Sequence, residues 1–151
     1  MSSQASSSPS GQPRLDGVRV LCVDDDLDTL ALYALVLGQR GAAVTEAASL
    51  TAGLESFEKV RPAVVVADIG LGDGDGYTLV QAIRGRSREQ GGDVPAVAIT
   101  GYAGHADAER ALEAGYDVHL AKPVDPARLC EVVAQLARLG RALQAGENEA
   151  R

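Results

Sequence analysis

Tryptophan is absent from this chain of 151 residues and phenylalanine occurs once, so Val, Leu, Ile and Ala must fill any hydrophobic core. Two cysteines are present, Cys22 and Cys130, and they lack the spacing of a metal site. No apolar run is long enough to cross a membrane, and the amino terminus has no basic segment followed by an apolar one. These absences predict a cytoplasmic protein with no membrane partner and with both cysteines buried and reduced.

Basic residues are in the minority, since 14 Lys and Arg face 21 Asp and Glu, and the formal net charge is −7. Excess negative charge repels a phosphate backbone, so we expect no nucleic-acid partner. Residues 1–16 are rich in Ser, Pro and Gly and carry too little apolar surface to fold, which predicts a disordered leader. One ordered domain is expected over residues 17–140, followed by a C-terminal tail or helix extension over residues 141–151.

Short apolar segments alternate with helical patterns from residue 18 onward. The apolar segments predict five strands, at Val18–Val23, Ala43–Thr45, Ala63–Ala67, Pro95–Thr100 and Val118–Ala121. Capping residues and apolar stripes predict a helix after each strand, the last one beginning at the Asp125-Pro126 pair. Strand–helix units in series predict a doubly wound α/β fold, in which a five-stranded parallel sheet carries helices on both faces.

Reactive polar side chains stand at the carboxyl ends of four of these strands. They are Asp24 and Asp25 after the first strand, Asp68 after the third, Thr100 at the end of the fourth and Lys122 after the fifth. In an open α/β sheet the carboxyl ends of the strands line one crevice, so we expect these side chains to meet there. Adjacent carboxylates repel each other and favour a bound cation, and hard oxygen ligands favour Mg²⁺.

Each of these residues also has a plainer interpretation when it is taken alone. One carboxylate of the Asp24–Asp25 pair could cap the first helix, and Lys122 could be an ordinary surface lysine. Thr100 could be a strand residue whose hydroxyl bonds to the backbone. All four strand ends considered together favour a pocket that binds a metal ion and a phosphoryl group.

The segments at these strand ends resemble the receiver domain of bacterial two-component response regulators, of the single-domain, chemotaxis-regulator-like type. The matching segments are Val23–Asp26, Asp68–Leu71, Asp75–Tyr77, Ile99–Ala103 and Leu120–Pro123. The resemblance extends from Val18 to Leu139 and implies a flavodoxin-like strand order of 2-1-3-4-5.

The resemblance also implies a role for each site residue. Asp68 would accept a phosphoryl group from a phosphohistidine, and Lys122 and Thr100 would hold phosphoryl oxygens. Mg²⁺, with Mn²⁺ as a substitute, would be bound by Asp24, Asp25, Asp68 and the main-chain carbonyl of Gly70. Pro123 would follow a cis peptide bond that aims the lysine. Such a protein catalyses its own phosphorylation and dephosphorylation and is not otherwise an enzyme.

Two positions depart from the common pattern of that family. His119, three residues before Lys122, stands where the family commonly has Phe or Tyr as a switch residue. It is either a switch that works with Thr100 or a half-buried side chain; if it switches, burial disfavours the imidazolium, so we expect the coupling to weaken at acidic pH. Gly70, two residues after Asp68, has no side chain to position an attacking water, which predicts a long-lived phosphoaspartate.

The implied partners are a sensor histidine kinase or phosphotransfer protein and a downstream effector protein. The effector would bind the face formed by the fourth helix, the fifth strand and the fifth helix. A receiver-like module that binds partners without phosphorylation and the receiver portion of a hybrid kinase are the related alternatives, although Met1 and the Ser-rich leader favour a free-standing chain. A haloacid-dehalogenase-type phosphatase is disfavoured because Asp28 stands where that family has Thr or Val. A flavodoxin-like nucleotide binder would need a phosphate-cradling loop after the first strand, and none is present.

Overall fold

The computed structural model describes residues 14–71, 75–101 and 105–150. In these ranges the chain forms one sheet of five strands: β1 (Arg19–Val23), β2 (Ala43–Ala47), β3 (Val64–Asp68), β4 (Ala96–Thr100) and β5 (Val118–Ala121). Neighbouring strands all pair in parallel, in the order β2-β1-β3-β4-β5. The expected doubly wound α/β fold and its strand order are therefore confirmed.

Five α-helices belong to the described part of the chain. They are α1 (Leu27–Gln39), α2 (Leu50–Val60), α3 (Gly76–Arg84), α4 (His105–Ala114) and α5 (Pro126–Ala150), and a short 3-10 helix spans Arg88–Gln90. One hydrophobic core joins α1 and α5 to one face of the sheet, and a second core joins α2, α3 and α4 to the other face. Over the same residues, no helix combines the length and the apolar character that a bilayer crossing needs.

The strands β3 and β4 place two polar residues, Asp68 and Thr100, at the edge of the hydrophobic core. Every residue of β3 and β4 is buried, because helices cover both faces of the sheet and the strands are rich in Val and Ala. Asp68 and Thr100 are the last residues of these two strands. They are therefore buried themselves, with exposed fractions of 7% and 4%, but they lie where the strands open toward the connecting loops.

Side-chain oxygens cap the two helices that begin beside this edge. Asp26 accepts hydrogen bonds from the Asp28 N–H at 3.1 Å and from the Thr29 hydroxyl at 3.0 Å at the start of α1. Asp75 accepts from the N–H and the hydroxyl of Thr78 at 2.8 Å and 2.9 Å at the start of α3. Such caps satisfy N–H groups that have no partner inside the helix. Both carboxylates are thus occupied as helix caps.

Two expected boundaries have to be corrected. Leu15 falls in the predicted leader, yet it is 1% exposed and its N–H donates to the Arg40 carbonyl at 2.7 Å; the part of the predicted leader before Arg14 lies outside the described residues. Strand β2 continues past the expected end at Thr45 to Ala47, because its pairing with β1 continues that far. Helix α5 continues to Ala150, and a helix extension was one of the two alternatives expected for residues 141–151. Both cysteines are free and buried, as expected.

Gly76 begins α3 and lies directly against the end of β3. A Cβ atom there would come within 2.7 Å of the Asp68 carbonyl oxygen and 2.9 Å of the Ile69 Cα, and backbone atoms cannot move aside without displacing the strand end. We expect Gly76→Ala to lower the free energy of unfolding by about 1–3 kcal/mol, as overpacking does elsewhere. Urea denaturation measures this change.

Gly38 on α1 provides the matched control for that substitution. A Cβ atom at Gly38 would meet nothing within 4 Å, so Gly38→Ala should stabilise the protein by at most about 1 kcal/mol through the better helix propensity of alanine. Changes of the same sign and size in the two variants would contradict the close approach at Gly76.

Candidate functional site

The register of the sheet brings the ends of four strands to one level. Asp24 and Asp68 lie side by side because each follows a residue of the Val23–Ala67 pair between β1 and β3. On the far side of β3, Asp68 itself is paired with a residue of β4, Ile99. Thr100 is in turn paired with the residue that precedes Lys122 on β5. Pairing of neighbouring strands therefore assembles the site from distant parts of the sequence.

Three carboxylates form the acidic cluster of this site. One oxygen from each of Asp24, Asp25 and Asp68 lies within 4.8 Å of the others. Asp24 is 1% exposed, whereas Asp25 is exposed to solvent. The cluster thus has a buried floor and an open side from which a ligand can enter.

Lys122 supplies a positive charge to the buried part of the cluster. Its Nζ donates a hydrogen bond to Asp68 Oδ2 at 2.9 Å and lies 3.7 Å from Asp24 Oδ2. Partial burial alone would favour the neutral amine, but the hydrogen bond and charge of Asp68, with the charge of Asp24, outweigh it and raise the pKa of Lys122. The lysine is therefore held as an ammonium beside the phosphoacceptor candidate.

Asp24 has fewer hydrogen-bond partners than its buried neighbour Asp68. Its Oδ1 accepts from the Asp26 N–H at 2.9 Å, while its buried Oδ2 has no hydrogen-bond partner among the described residues. Burial raises the pKa of Asp24; the hydrogen bond from Asp26 opposes this effect and the negative charge of Asp68 adds to it. An unsatisfied, buried carboxylate oxygen is a costly feature unless a ligand or cation completes it.

The loop after β3 folds back on the Asp68 carboxylate. The Gly70 N–H donates to Asp68 Oδ1 at 3.0 Å, so both oxygens of Asp68 have a donor in the protein. Gly70 is exposed, and a Cβ atom on it would meet nothing within 4 Å. Among the residues that the structure describes, there is therefore room for a side chain at position 70.

Thr100 stands at the same edge, but its hydroxyl contacts a neighbour on β5. Thr100 Oγ1 and His119 Nε2 are 2.7 Å apart, within hydrogen-bonding distance. His119 is half-buried, and the peptide bond between Lys122 and Pro123 is cis, as expected. The two residues predicted to switch together are thus in direct contact.

Two further residues support the site and were not predicted from the sequence. The Tyr116 hydroxyl donates to the Gly76 carbonyl at 2.7 Å in the interior, and the Gly76 N–H donates to the Ile69 carbonyl at 2.8 Å, just after β3. The position of Gly76 after the Asp75 cap could have indicated a tight helix start. Nothing near Tyr116 in the sequence indicates a partner 40 residues away.

The donor atoms of the cluster fit a hard divalent cation. Carboxylate oxygens are the ligands that Mg²⁺ and Mn²⁺ prefer, and Asp24 Oδ2 is a buried oxygen left without a hydrogen bond. Asp24, Asp25 and Asp68 could hold such an ion. Of the other expected segments, residues 72–74 and 102–104, including Tyr102, lie outside the described residues.

Comparison with known proteins agrees with the geometry of the site. The response regulator receiver domain model matches residues 20–134, well over half of the chain. An uncharacterized 14.6 kDa protein of Leptolyngbya boryana is 39% identical over 118 residues, which are 77% of this chain and 87% of that protein. The acid tolerance regulatory protein ActR of Sinorhizobium medicae is 35% identical over 129 residues, and the match spans 63% of its length.

A solved structure shares both the fold and the sequence pattern. The CheY-like response regulator receiver domain protein of Methanospirillum hungatei JF-1 superposes with a TM-score of 0.76 at 28% identity, over 84% of this chain and 98% of the other. The match to the receiver family supports the resemblance over the phosphatase and nucleotide-binder alternatives. The chain belongs to the response regulator receiver domain family of two-component signalling.

Proposed function

We propose that this protein is a phosphoacceptor of a two-component phosphorelay and that Asp68 receives the phosphoryl group from a phosphohistidine. The observation that supports this proposal most is the convergence of Asp24, Asp25 and Asp68 with the Lys122 ammonium at one edge of the sheet. The donor would be a histidine kinase or a phosphotransfer protein. We assign the receiver domain to residues 14–140, because Leu15 is buried, and residues 141–150 to an extension of α5.

The chemistry needs positioning and charge more than it needs further reactive groups. An oxygen of the Asp68 carboxylate attacks phosphorus, the phosphorus–nitrogen bond breaks, and its electron pair returns to the donor imidazole. Lys122 already bonds to Asp68 Oδ2 and would turn its ammonium toward a phosphoryl oxygen. Thr100, one strand further along, would hydrogen-bond another phosphoryl oxygen.

A divalent cation, Mg²⁺ or in its place Mn²⁺, would be held by Asp24, Asp25, Asp68 and the carbonyl of Gly70. When bound, it would neutralise charge that develops on the transferring phosphoryl group. Asp24 would gain a partner for its unsatisfied oxygen. Asp25, which is exposed, would form the solvent side of the metal site.

The readout would be a change in protein binding on the surface formed by α4, β5 and α5. Thr100 on β4 contacts His119 on β5, so movement of Thr100 toward a phosphoryl group would change this contact and thereby alter the surface. Leu112 on α4 is 50% exposed and offers an apolar contact to an effector protein. We assign the reaction to the cytoplasm because both cysteines are free.

Phosphorylation by a small-molecule donor tests the proposal directly. The protein is incubated with acetyl phosphate and Mg²⁺, and intact mass spectrometry follows the addition of one phosphoryl group. We expect addition to the wild type and none to Asp68→Asn, and we expect chelation of Mg²⁺ to prevent it. An unmodified wild type, with folding verified by circular dichroism, would instead support a receiver-like module that works without phosphorylation.

The lifetime of the phosphoaspartate should depend on position 70. A Cβ atom on Gly70 would meet nothing within 4 Å, and glycine itself has no side chain there to orient an attacking water. We expect Gly70→Asn to accelerate dephosphorylation by about tenfold, below the range for a well-placed general base. The decay of the phosphorylated mass after removal of the donor measures the rate. Gly101→Asn is the control, because a Cβ atom at Gly101 also meets nothing within 4 Å; similar acceleration in both would contradict the role of Gly70.

A further inference from the structure

The hydroxyl of Tyr116 lies where the end of β3 meets the start of α3. Tyr116 is 3% exposed and donates a hydrogen bond to the Gly76 carbonyl at 2.7 Å. A Cβ atom on Gly76 would come within 2.7 Å of the Asp68 carbonyl oxygen, 2.9 Å of the Ile69 Cα and 3.1 Å of this hydroxyl. The Tyr116 hydroxyl therefore packs around the same glycine as the backbone of Asp68 and Ile69.

The place of this hydrogen bond in the fold matters more than its presence. A buried tyrosine hydroxyl usually finds a partner, so the bond alone would fit an ordinary core residue. The Gly76 N–H, however, donates to the Ile69 carbonyl at 2.8 Å and closes the loop between β3 and α3 at its base. In the same loop the Gly70 N–H donates to Asp68 Oδ1 at 3.0 Å. Tyr116 therefore holds one end of the loop that carries Gly70.

Tyr116 is itself held by the connection between α4 and β5. Its N–H donates to the Ala111 carbonyl at 3.0 Å, and the neighbouring Asp117 N–H donates to the Ala96 carbonyl at 2.8 Å. Burial raises the pKa of Tyr116, so the hydroxyl keeps its proton and remains a donor. A donor in a fixed position thus meets the first residue of α3.

We propose that Tyr116 is a positioning residue that holds the loop after β3 in the arrangement that binds the divalent cation. The proposal rests on the proposed function, in which the Gly70 carbonyl is a ligand of that ion. Without the hydroxyl, the Gly76 carbonyl loses a donor in a buried place, which disfavours the present arrangement. Arrangements in which the helix start moves toward water then compete with it. Only a fraction of the molecules is ready to bind the ion, and the apparent Kd rises in proportion.

Tyr116→Phe removes the hydroxyl oxygen and keeps the buried ring. We expect this variant to raise the Kd for Mg²⁺ about three- to fivefold, since the loss of an ordinary hydrogen bond lowers the competent fraction by such a factor. Amide ¹H–¹⁵N NMR measures the Kd by titration with MgCl₂, with the Gly70 signal as reporter, and the same spectra verify that the variant is folded. An unchanged Kd overturns the positioning role.

Ile83→Val is the matched control for a merely structural effect. Ile83 is fully buried in the same hydrophobic core as Tyr116, but it lies in the last turn of α3 and not at the helix start. Loss of a methylene group from a core is destabilising, so urea denaturation should show reduced stability for both variants. We expect the Kd of Ile83→Val to equal that of the wild type. A rise of the same size in both variants would mean that Tyr116 acts through general stability, which overturns the proposal.

The dependence of phosphorylation on Mg²⁺ gives a second readout. Saturating Mg²⁺ selects the competent loop arrangement, so Tyr116→Phe should then react with acetyl phosphate within about twofold of the wild-type rate. A larger loss that persists at saturating Mg²⁺ overturns a role through the metal site.

The wild type separates failure of this proposal from failure of the proposed function. If the wild type binds no Mg²⁺, the metal site of the proposed function is wrong and the role of Tyr116 is overturned with it. If the wild type binds the ion but is not phosphorylated, the function assigned to Asp68 is wrong, and the comparison of Kd values still decides the role of Tyr116.

Discussion

Replacing Lys122 by methionine is expected to slow phosphorylation of Asp68 by acetyl phosphate about 100- to 1000-fold, the loss seen when one fixed donor to a developing anion is removed. The ammonium lies 2.9 Å from Asp68 Oδ2, and methionine keeps most of the side-chain length without the charge. Nothing else among the described residues places a cation against Asp68. The rate is measured by intact mass at saturating Mg²⁺.

The same substitution should also destabilise the metal-free protein. Asp24 and Asp68 would then be two buried carboxylates with no positive partner in the described part of the chain, and breaking a buried pair on one side costs stability. Because Lys122 is about one third exposed, solvent screens part of this loss and we expect about 1–2 kcal/mol. Lys59→Met is the control, since Lys59 is the only other lysine in the sequence and is exposed on α2. A phosphorylation rate for Lys122→Met close to that of Lys59→Met would refute the role of Lys122.

The position of the site could be predicted from the sequence because it follows from strand order and strand ends alone. Buried parallel strands read as apolar runs, and a polar residue that ends such a run has to lie at the carboxyl edge of the sheet. This reasoning placed Asp24, Asp25, Asp68 and Lys122 together. One oxygen of each carboxylate lies within 4.8 Å of the others, and the Lys122 ammonium is 2.9 Å from Asp68 and 3.7 Å from Asp24. No knowledge of side-chain orientation was needed.

Contacts that depend on side-chain direction could not be predicted in this way. The sequence places Thr100 and His119 at neighbouring strand ends, but it does not show that the hydroxyl and Nε2 are 2.7 Å apart. The hydrogen bond from Tyr116 to Gly76 joins a helix start to a loop that no local pattern connects. Leu15 looked like part of a polar leader because one apolar residue among polar ones carries no periodic signal, although it is buried.

Asp24 shows how the requirements of the site conflict with those of the fold. Burial of the Asp24 charge lowers the free energy of unfolding, whereas metal binding requires that charge. A carboxylate with one oxygen unsatisfied, and with Asp68 and Asp25 close by, disfavours the folded state at neutral pH. A bound cation would reverse this effect. In the absence of metal, the folded protein is therefore expected to be more stable with a neutral Asp24 than with a charged one.

We expect Asp24→Asn to stabilise the metal-free protein at pH 7 by about 1–3 kcal/mol, the usual cost of a buried polar group that is left unsatisfied, while Lys122 keeps its bond to Asp68. Since burial raises the pKa of Asp24 in the folded state, the native wild type binds this proton more tightly than the unfolded chain does. The wild type therefore recovers stability as pH falls through that pKa, and the recovery is complete below about pH 3.9, the value of an unfolded Asp. The advantage of Asp24→Asn should shrink over the same interval.

Urea denaturation in the presence of a chelator, from pH 7 to pH 4, measures both effects by comparing the variant with the wild type. The caps formed by Asp26 and Asp75, whose pKa values are lowered mainly by hydrogen bonds from Thr29 and Thr78, lose stability in acid in both proteins and cancel in the difference. Asp25→Asn is the control, because Asp25 is exposed and its substitution should change the metal-free stability little.

Adding Mg²⁺ should then stabilise the wild type and leave the stability of Asp24→Asn nearly unchanged, because the buried side-chain oxygen that would bind the ion has lost its charge. Equal stabilisation of both by Mg²⁺ would exclude Asp24 from the metal site.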